Sequence, residues 1–197
     1  MPHFTAISRE SHAGKKWQRF TGYSFASTTA LAPVVGVELG RTALALPLGF
    51  FQEAGRFVLV AVLSLAPNRN MLVAPDGRWL GGDVPAYLRS YPFALVPQQG
   101  TEQTVLCIDT DSGLVVEDSA AGEDFFGQDG NISPALKSVL DVFNELERSR
   151  RTTDAAVGAL AEAGVIQPWP IKLKTEQGEQ PAPVGLYRVD EVMLNAL

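Results

Sequence analysis

Cysteine is almost absent from this 197-residue chain, and the single Cys107 excludes any internal disulfide. It lies in the apolar run Thr104-Val105-Leu106-Cys107-Ile108, and no Lys or Arg occurs between Arg89 and Lys137 to stabilise a thiolate. The thiol therefore reads as a small buried strand residue rather than a nucleophile. Histidine is nearly as scarce. His3 and His12 are the only two, so serine or cysteine chemistry has few candidates for its usual base. Both read as docked or solvent-facing polar residues, and with no cysteine partner or HExxH context they give zinc little support. Basic charge is also short. A formal net charge of −6 and a pI near 4.9 argue against a general nucleic-acid binder, which needs a basic stripe to displace counterions from phosphates.

Long apolar runs are missing too. The greasiest region, Leu39 to Ala66, is interrupted by Arg41, Glu53 and Arg56, whereas a membrane-spanning helix needs ~20 apolar residues. The start carries Arg9, Lys15, Lys16 and Arg19 but no apolar stretch of signal-peptide length behind them, so the expected location is the cytoplasm. Gly77, Gly81 and Gly82 have neither P-loop nor dinucleotide-fingerprint spacing. No cofactor is expected.

What remains is a chain built to fold. Hydrophobic residues make up 46% and charged residues 19%, well away from the disordered regime. The length suits one domain over residues 1–197. Residues 1–26 read as an irregular arm docked by Trp17, Phe20, Tyr23 and Phe25. Residues 27–130 are rich in strand signals, 131–171 are helical, and 172–197 form a Gly- and Pro-containing loop or linker through Gly185, followed by an apolar terminal segment. Pro33 is placed to open a short helix through Leu39. A hairpin follows, with ALPLGFFQ and RFVLVAVLSL joined at Glu53-Ala54-Gly55, and the second strand is apolar enough to be central. Further strands are expected at Met71–Ala74, Arg78–Leu80, Tyr91–Val96, Thr104–Asp109 and Leu114–Glu117. Ser133 is a fitting N-cap and Pro134 a fitting first residue for a helix carrying Leu136, Val139, Leu140, Phe143 and Leu146 on one face. A break is expected near Arg151, and Gly164 as the C-terminal cap. The fold class is α+β: a mainly antiparallel sheet in the first two thirds with a helical C-terminal third packed on it.

Eight carboxylates fall between Glu102 and Asp129 with no basic residue among them. Asp109-Thr110-Asp111-Ser112-Gly113 begins like an EF-hand loop, but position six is Leu114 and position twelve is Ala120 where Gly and Glu belong. No metal site is assigned, and the stretch reads as a solvated acidic face.

The densest feature is Asn68 to Phe93, NRNMLVAPDGRWLGGDVPAYLRSYPF. Pro75-Asp76-Gly77 specifies a tight turn. Arg78, Trp79, Tyr87, Tyr91 and Phe93 are the candidate binding residues, because large flat side chains and an arginine suit a recognition platform as well as a core. Trp79 is expected to be more than half buried.

Several of these segments together resemble the bacterial SapC-like family, whose name refers to crystalline surface layers. The resemblance rests on ALPLGFF, NRNMLVAPDGRWLGGDVPAYLRSYPFAL, LCIDTDSGLV, DFFGQDGNISPAL, GVIQPWPI and GLYRVDEVMLNAL. It covers the chain from about Pro47 onward, with a looser match in the arm. It implies a surface-layer or envelope association. Relatives in Gram-negative bacteria that are encoded beside outer-membrane receptors, flavin-dependent tryptophan-halogenase-like proteins and cupin-like proteins imply instead an accessory role in nutrient uptake or peptide modification. The resemblance carries over no catalytic residue. Its pattern runs on into another helical segment beyond the position of Leu197, so a shortened C-terminus is expected here.

Three functions follow. The first is a non-enzymatic binding or scaffold protein with a protein partner, motivated by the failed catalytic motifs and the aromatic segment. The second is a cytoplasmic accessory protein to a halogenase-like or cupin-like oxygenase. The third is a carboxylate-dependent enzyme using Asp109 and Asp111.

Overall fold

The computed structural model describes residues 3–98, 100, 103–117, 121–175 and 178–197. Glu102, Asp118 and Ala120, which entered the reading of the acidic stretch, lie outside the described residues, as do Glu176 and Gln177 in the expected linker. Along the chain the first elements are β1 (Phe4–Ala6), α1 (Arg9–His12), β2 (Lys16–Trp17), β3 (Leu31–Pro33) and α2 (Gly36–Ala45). Then come β4 (Leu48–Glu53), β5 (Arg56–Val62), α3 (Ala86–Arg89), β6 (Phe93–Pro97), β7 (Thr104–Asp109), β8 (Val115–Val116) and β9 (Glu123–Asp124). The last are α4 (Pro134–Glu162), β10 (Ile166–Trp169), β11 (Lys172–Thr175), β12 (Gly178–Pro181), β13 (Leu186–Val189) and α5 (Glu191–Leu194). The fold is α+β, its described strand pairs are antiparallel, and its longest helix lies in the C-terminal third.

The chain divides into two compact units. One comprises residues 1–21 and 90–147, the other 22–89 and 148–197. In the first, the sheet β1-β7-β6 and the small sheet β8-β2-β9 enclose Trp17, Phe93, Leu106, Ile108, Phe125 and Leu136, onto which Val139, Leu140 and Phe143 of α4 pack. Where the sequence reads as an irregular arm, residues 4–17 form two strands and a helical turn. Pairing of β2 with β8 and β9 explains why. It sets Lys15, Lys16 and Arg19 beside Glu117, Asp124 and Glu123, at 3.7, 3.7 and 2.8 Å; Glu117 and Asp124 stay 86% and 60% exposed, so the expected solvated face also carries surface ion pairs. Cys107 is buried in β7, and burial pushes its thiol pKa up.

In the second unit the sheet runs β10-β13-β4-β5-β3. Ala54 and Gly55 both have positive φ, the requirement of a two-residue hairpin turn, and they set the β4–β5 register with Glu53 opposite Arg56. The apolar strand β5 has neighbours on both edges, as its composition implies. Val34, Ala61, Leu63 and Leu88 form part of one core cluster; Phe50, Ile166 and Val157 of α4 form another. The expected linker pairs instead as β11–β12, and the apolar segment after it supplies β13 to the sheet.

Two helix expectations change. α4 runs unbroken for 29 residues, about 44 Å at 1.5 Å per residue. Near Arg151 the helix continues rather than recapping: Thr152 and Thr153 hydroxyls donate back to the carbonyls of Arg148 and Ser149 instead of capping a new helix, and Arg150 pairs with Asp154 at 2.6 Å. Its ends match the sequence. Ser133 Oγ accepts the Leu136 N–H, and Gly164 at φ 72° closes a Schellman motif in which its N–H bonds Ala161 and that of Val165 bonds Leu160. The other change is at α2. Pro33 ends β3 rather than opening a helix, Val35 stays extended, and the helix begins at Gly36. Among the described residues no helix is long and apolar enough to cross a membrane.

Candidate functional site

The segment from Asn68 is held in shape mainly by backbone and buried polar bonds. Buried Asn70 donates from Nδ2 to the Ala26 carbonyl at 3.1 Å and accepts the Leu72 N–H at 2.9 Å, which ties the segment to residues 26–27 of the same unit. The expected strands at Met71–Ala74 and Arg78–Leu80 reduce to a turn with one bridge, Val73 to Trp79. Pro75-Asp76-Gly77 makes that turn, with the Gly77 N–H on the Ala74 carbonyl. Glycine is required at 77 twice over. Its φ is 84°, and a Cβ there would sit 2.6 Å from Ser24 Oγ. Asp76 accepts both the Arg78 N–H and Nε, at 3.1 and 2.7 Å, and these bonds hold its carboxyl below the usual range. Trp79 is partly buried beside Tyr23, ring centroids 5.4 Å apart, and donates its indole N–H to the Asp83 carbonyl at 2.9 Å.

Beyond Gly82 the segment locks onto α2 through two buried carboxylates. Asp83 accepts the Thr42 hydroxyl at 2.8 Å and forms an ion pair with Arg41, whose Nε lies 2.8 Å from Oδ1. Glu38 accepts the Ala86 N–H at 2.6 Å, the Val35 N–H at 3.3 Å and Arg89 at 3.5 Å. A helix that buries these groups is inverted in polarity. Glu38 and Thr42, 5% and 0% exposed, face the protein, while Val37 and Leu44, 57% and 90% exposed, face solvent. Neither Glu38 nor Thr42 is among the residues singled out from the sequence. Their i, i+4 spacing was the available signal. The N–H groups of Gly36 and Val37 at the start of α2 are capped by Thr153 and Ser149 hydroxyls of α4, at 2.8 and 2.9 Å.

The five candidate binding residues do not fall in one compact unit. Arg78 is exposed and paired with Asp76, Trp79 is partly buried, and Tyr87 is exposed at 59%; all three belong to residues 22–89. Tyr91 and Phe93 belong to the other unit. There Phe93 is buried edge-on to Trp17, centroids 4.8 Å apart, and Tyr91 packs on Phe20 at 6.1 Å. Tyr91 also donates its hydroxyl to Asp109 at 3.0 Å; burial, reinforced by that bond, pushes its pKa up to about 12.

Asp109 is itself buried and accepts the N–H groups of His3 and Asp111, at 2.9 and 3.1 Å. Both its oxygens are spent on holding the β7 end to Tyr91 and the N-terminal segment. His12 is buried against Phe125 at 4.9 Å, and burial lowers its pKa. Among the described residues no three His, Cys, Asp or Glu side chains are grouped as metal ligands.

No curated protein and no solved structure was found to match this chain. The SapC family model matches residues 7–197, nearly its whole length. The segment order that resembled SapC-like proteins thus extends through the arm as well, and the chain belongs to the SapC family.

Proposed function

We propose that this SapC-family chain is a non-enzymatic binding protein and that it holds its partner on the outer face of α2. One observation carries the reading: α2 buries Glu38 and Thr42 and leaves Val37 and Leu44 in solvent. A helix that spends its inward face on polar bonds gains little from apolar residues on the outside unless something covers them. The flanking chain meets α2 on its inner side, at Ala45 and Glu38, and leaves two large side chains exposed close to those contacts. Gly82 lies against Ala45, so a Cβ there would be 3.4 Å from the Ala45 Cβ, and this brings exposed Leu80 near the C-terminal end of α2. The Ala86–Glu38 bond brings exposed Tyr87 near its N-terminal half. Aromatic and aliphatic side chains on rigid backbone, with arginine nearby, are the composition of interface centres.

The resemblance to SapC-like proteins nominates two partner classes, an envelope or surface-layer component and a halogenase-like or cupin-like oxygenase. Cross-linked capture from the native host, with the wild type and Leu44→Glu run in parallel, tests the reading. A partner held by the wild type and lost with Leu44→Glu is expected. Recovery of no partner, together with turnover of a small molecule by the purified chain, overturns it.

A further inference from the structure

We infer that the outer face of α2 takes an acidic amphipathic helix of a partner protein, its apolar side chains lying on Val37 and Leu44 and its carboxylates on Arg41 and Arg89. This deepens the binding reading and rests on it. Val37 and Leu44 are seven residues apart, two helical turns or roughly 10 Å, which places them on one stripe and matches the anchor spacing of a helix laid alongside. Arg41 stands between them on that stripe. It is ion-paired with Asp83 through Nε, 2.8 Å from Oδ1, and its side chain remains 55% exposed. Arg89 is held by Glu38, Nη2 to Oε2 at 3.5 Å, with its side chain 42% exposed.

The two ion pairs are asymmetric in exposure. The side chains of Asp83 and Glu38 are 8% and 3% exposed, those of Arg41 and Arg89 55% and 42%. A partner arriving at this face meets guanidinium groups whose countercharges lie behind them. Those groups are already oriented by their buried carboxylates, so less side-chain freedom is lost when a second carboxylate is bound.

The same charges weigh against a lipid surface. Residues 22–89 contain five arginines against four carboxylates, and the whole chain carries −6, so long-range attraction to an anionic bilayer is weak. Recognition at hydrogen-bond range survives that deficit, because the guanidinium fork reads a carboxylate directly.

The experiment uses the full chain and two synthetic helical peptides with identical Leu anchors, one flanked by Glu and one by Lys, measured by fluorescence anisotropy. The Glu-flanked peptide is expected to bind about fivefold to tenfold tighter, the size of one or two partly exposed ion pairs, with the margin shrinking in high salt. Leu44→Glu changes an exposed side chain and should leave the fold intact while weakening that peptide by about tenfold or more. Equal binding of the two peptides, or binding of neither up to its solubility limit, overturns the inference. So does Leu44-dependent sedimentation with vesicles of phosphatidylcholine and phosphatidylglycerol, or a Leu44-dependent dimer in light scattering. A host protein captured through Leu44 alongside equal peptide binding would keep the binding function and reject the acidic helix. Failure of the capture alone counts against the function.

Discussion

The Glu38 carboxylate accepts the Ala86 backbone N–H at 2.6 Å, a bond between residues 48 apart that ties α2 to the turn opening α3. Everything proposed for the outer face of α2 depends on this inward contact, because it decides which side of the helix remains in solvent.

Glu38→Ala should therefore be among the most damaging substitutions in residues 22–89. It leaves the Ala86 and Val35 N–H groups without their acceptor and Arg89 without its counterion. A loss of about 2–4 kcal/mol is expected in urea denaturation, with Glu38→Gln recovering part of it because the amide oxygen still accepts.

Gly77→Ala should cost about 1–3 kcal/mol, from a positive φ and from the clash with Ser24 Oγ. The two causes separate in a double-mutant cycle. Ser24→Ala should relieve the clash and recover part of the loss, while the backbone strain persists. Purely additive effects of the two substitutions would remove the steric half of the account.

His12 makes stability fall in mild acid. Burial holds its folded pKa below the ordinary value of about 6.5, so the neutral ring is favoured in the native state. Above that pH the contribution is fully present. As pH drops through about 6.5 toward the folded pKa, the unfolded chain binds a proton the native chain resists, and stability declines. Thermal unfolding from pH 7.5 to 5 should show the decline, and an imidazole titration by NMR should place His12 below a histidine in an unstructured peptide.

Tyr91 acts at the opposite end of the scale. Its pKa of about 12 exceeds the ordinary phenol value near 10, because burial and the Asp109 bond favour the neutral form. The contribution is present below about 10 and is lost as pH rises toward about 12, since the unfolded chain gives up that proton first. In an ultraviolet titration one of the four tyrosines should ionise late. Tyr91→Phe should remove that last step, and an unchanged profile would show that another tyrosine is responsible.

Much of the fold was legible because its signals are local. Ser133, Pro134 and Gly164 bracket α4 through contacts within a few residues, and Ala54-Gly55 and Pro75-Asp76-Gly77 turn the chain through their own dihedral preferences. Trp79 is more buried than exposed, as its apolar surface and single polar handle imply. The break expected at Arg151 failed because Thr-Thr-Asp, a plausible cap sequence, was satisfied within the helix by bonds to the preceding turn. The acidic stretch is largely solvated, as its composition implies, but its surface ion pairs were not legible. Its counterions lie about a hundred residues away in the arm, and spacing along the chain carries no trace of them.

The sequence by itself determined the α+β class, most helix ends and hairpin turns, and membership of the family, since each rests on neighbouring residues or on their order. Only the tertiary structure decided that the Asn68–Phe93 segment is divided between two compact units at Ser90, and that Glu38 and Asp83 turn inward while Val37 and Leu44 turn out. Apolar periodicity assigns the greasier face of a helix to the core. It fails when buried carboxylates find enough donors and cations to offset their desolvation, and those partners, Ala86, Thr42, Arg41 and Arg89, come together only after the chain has folded.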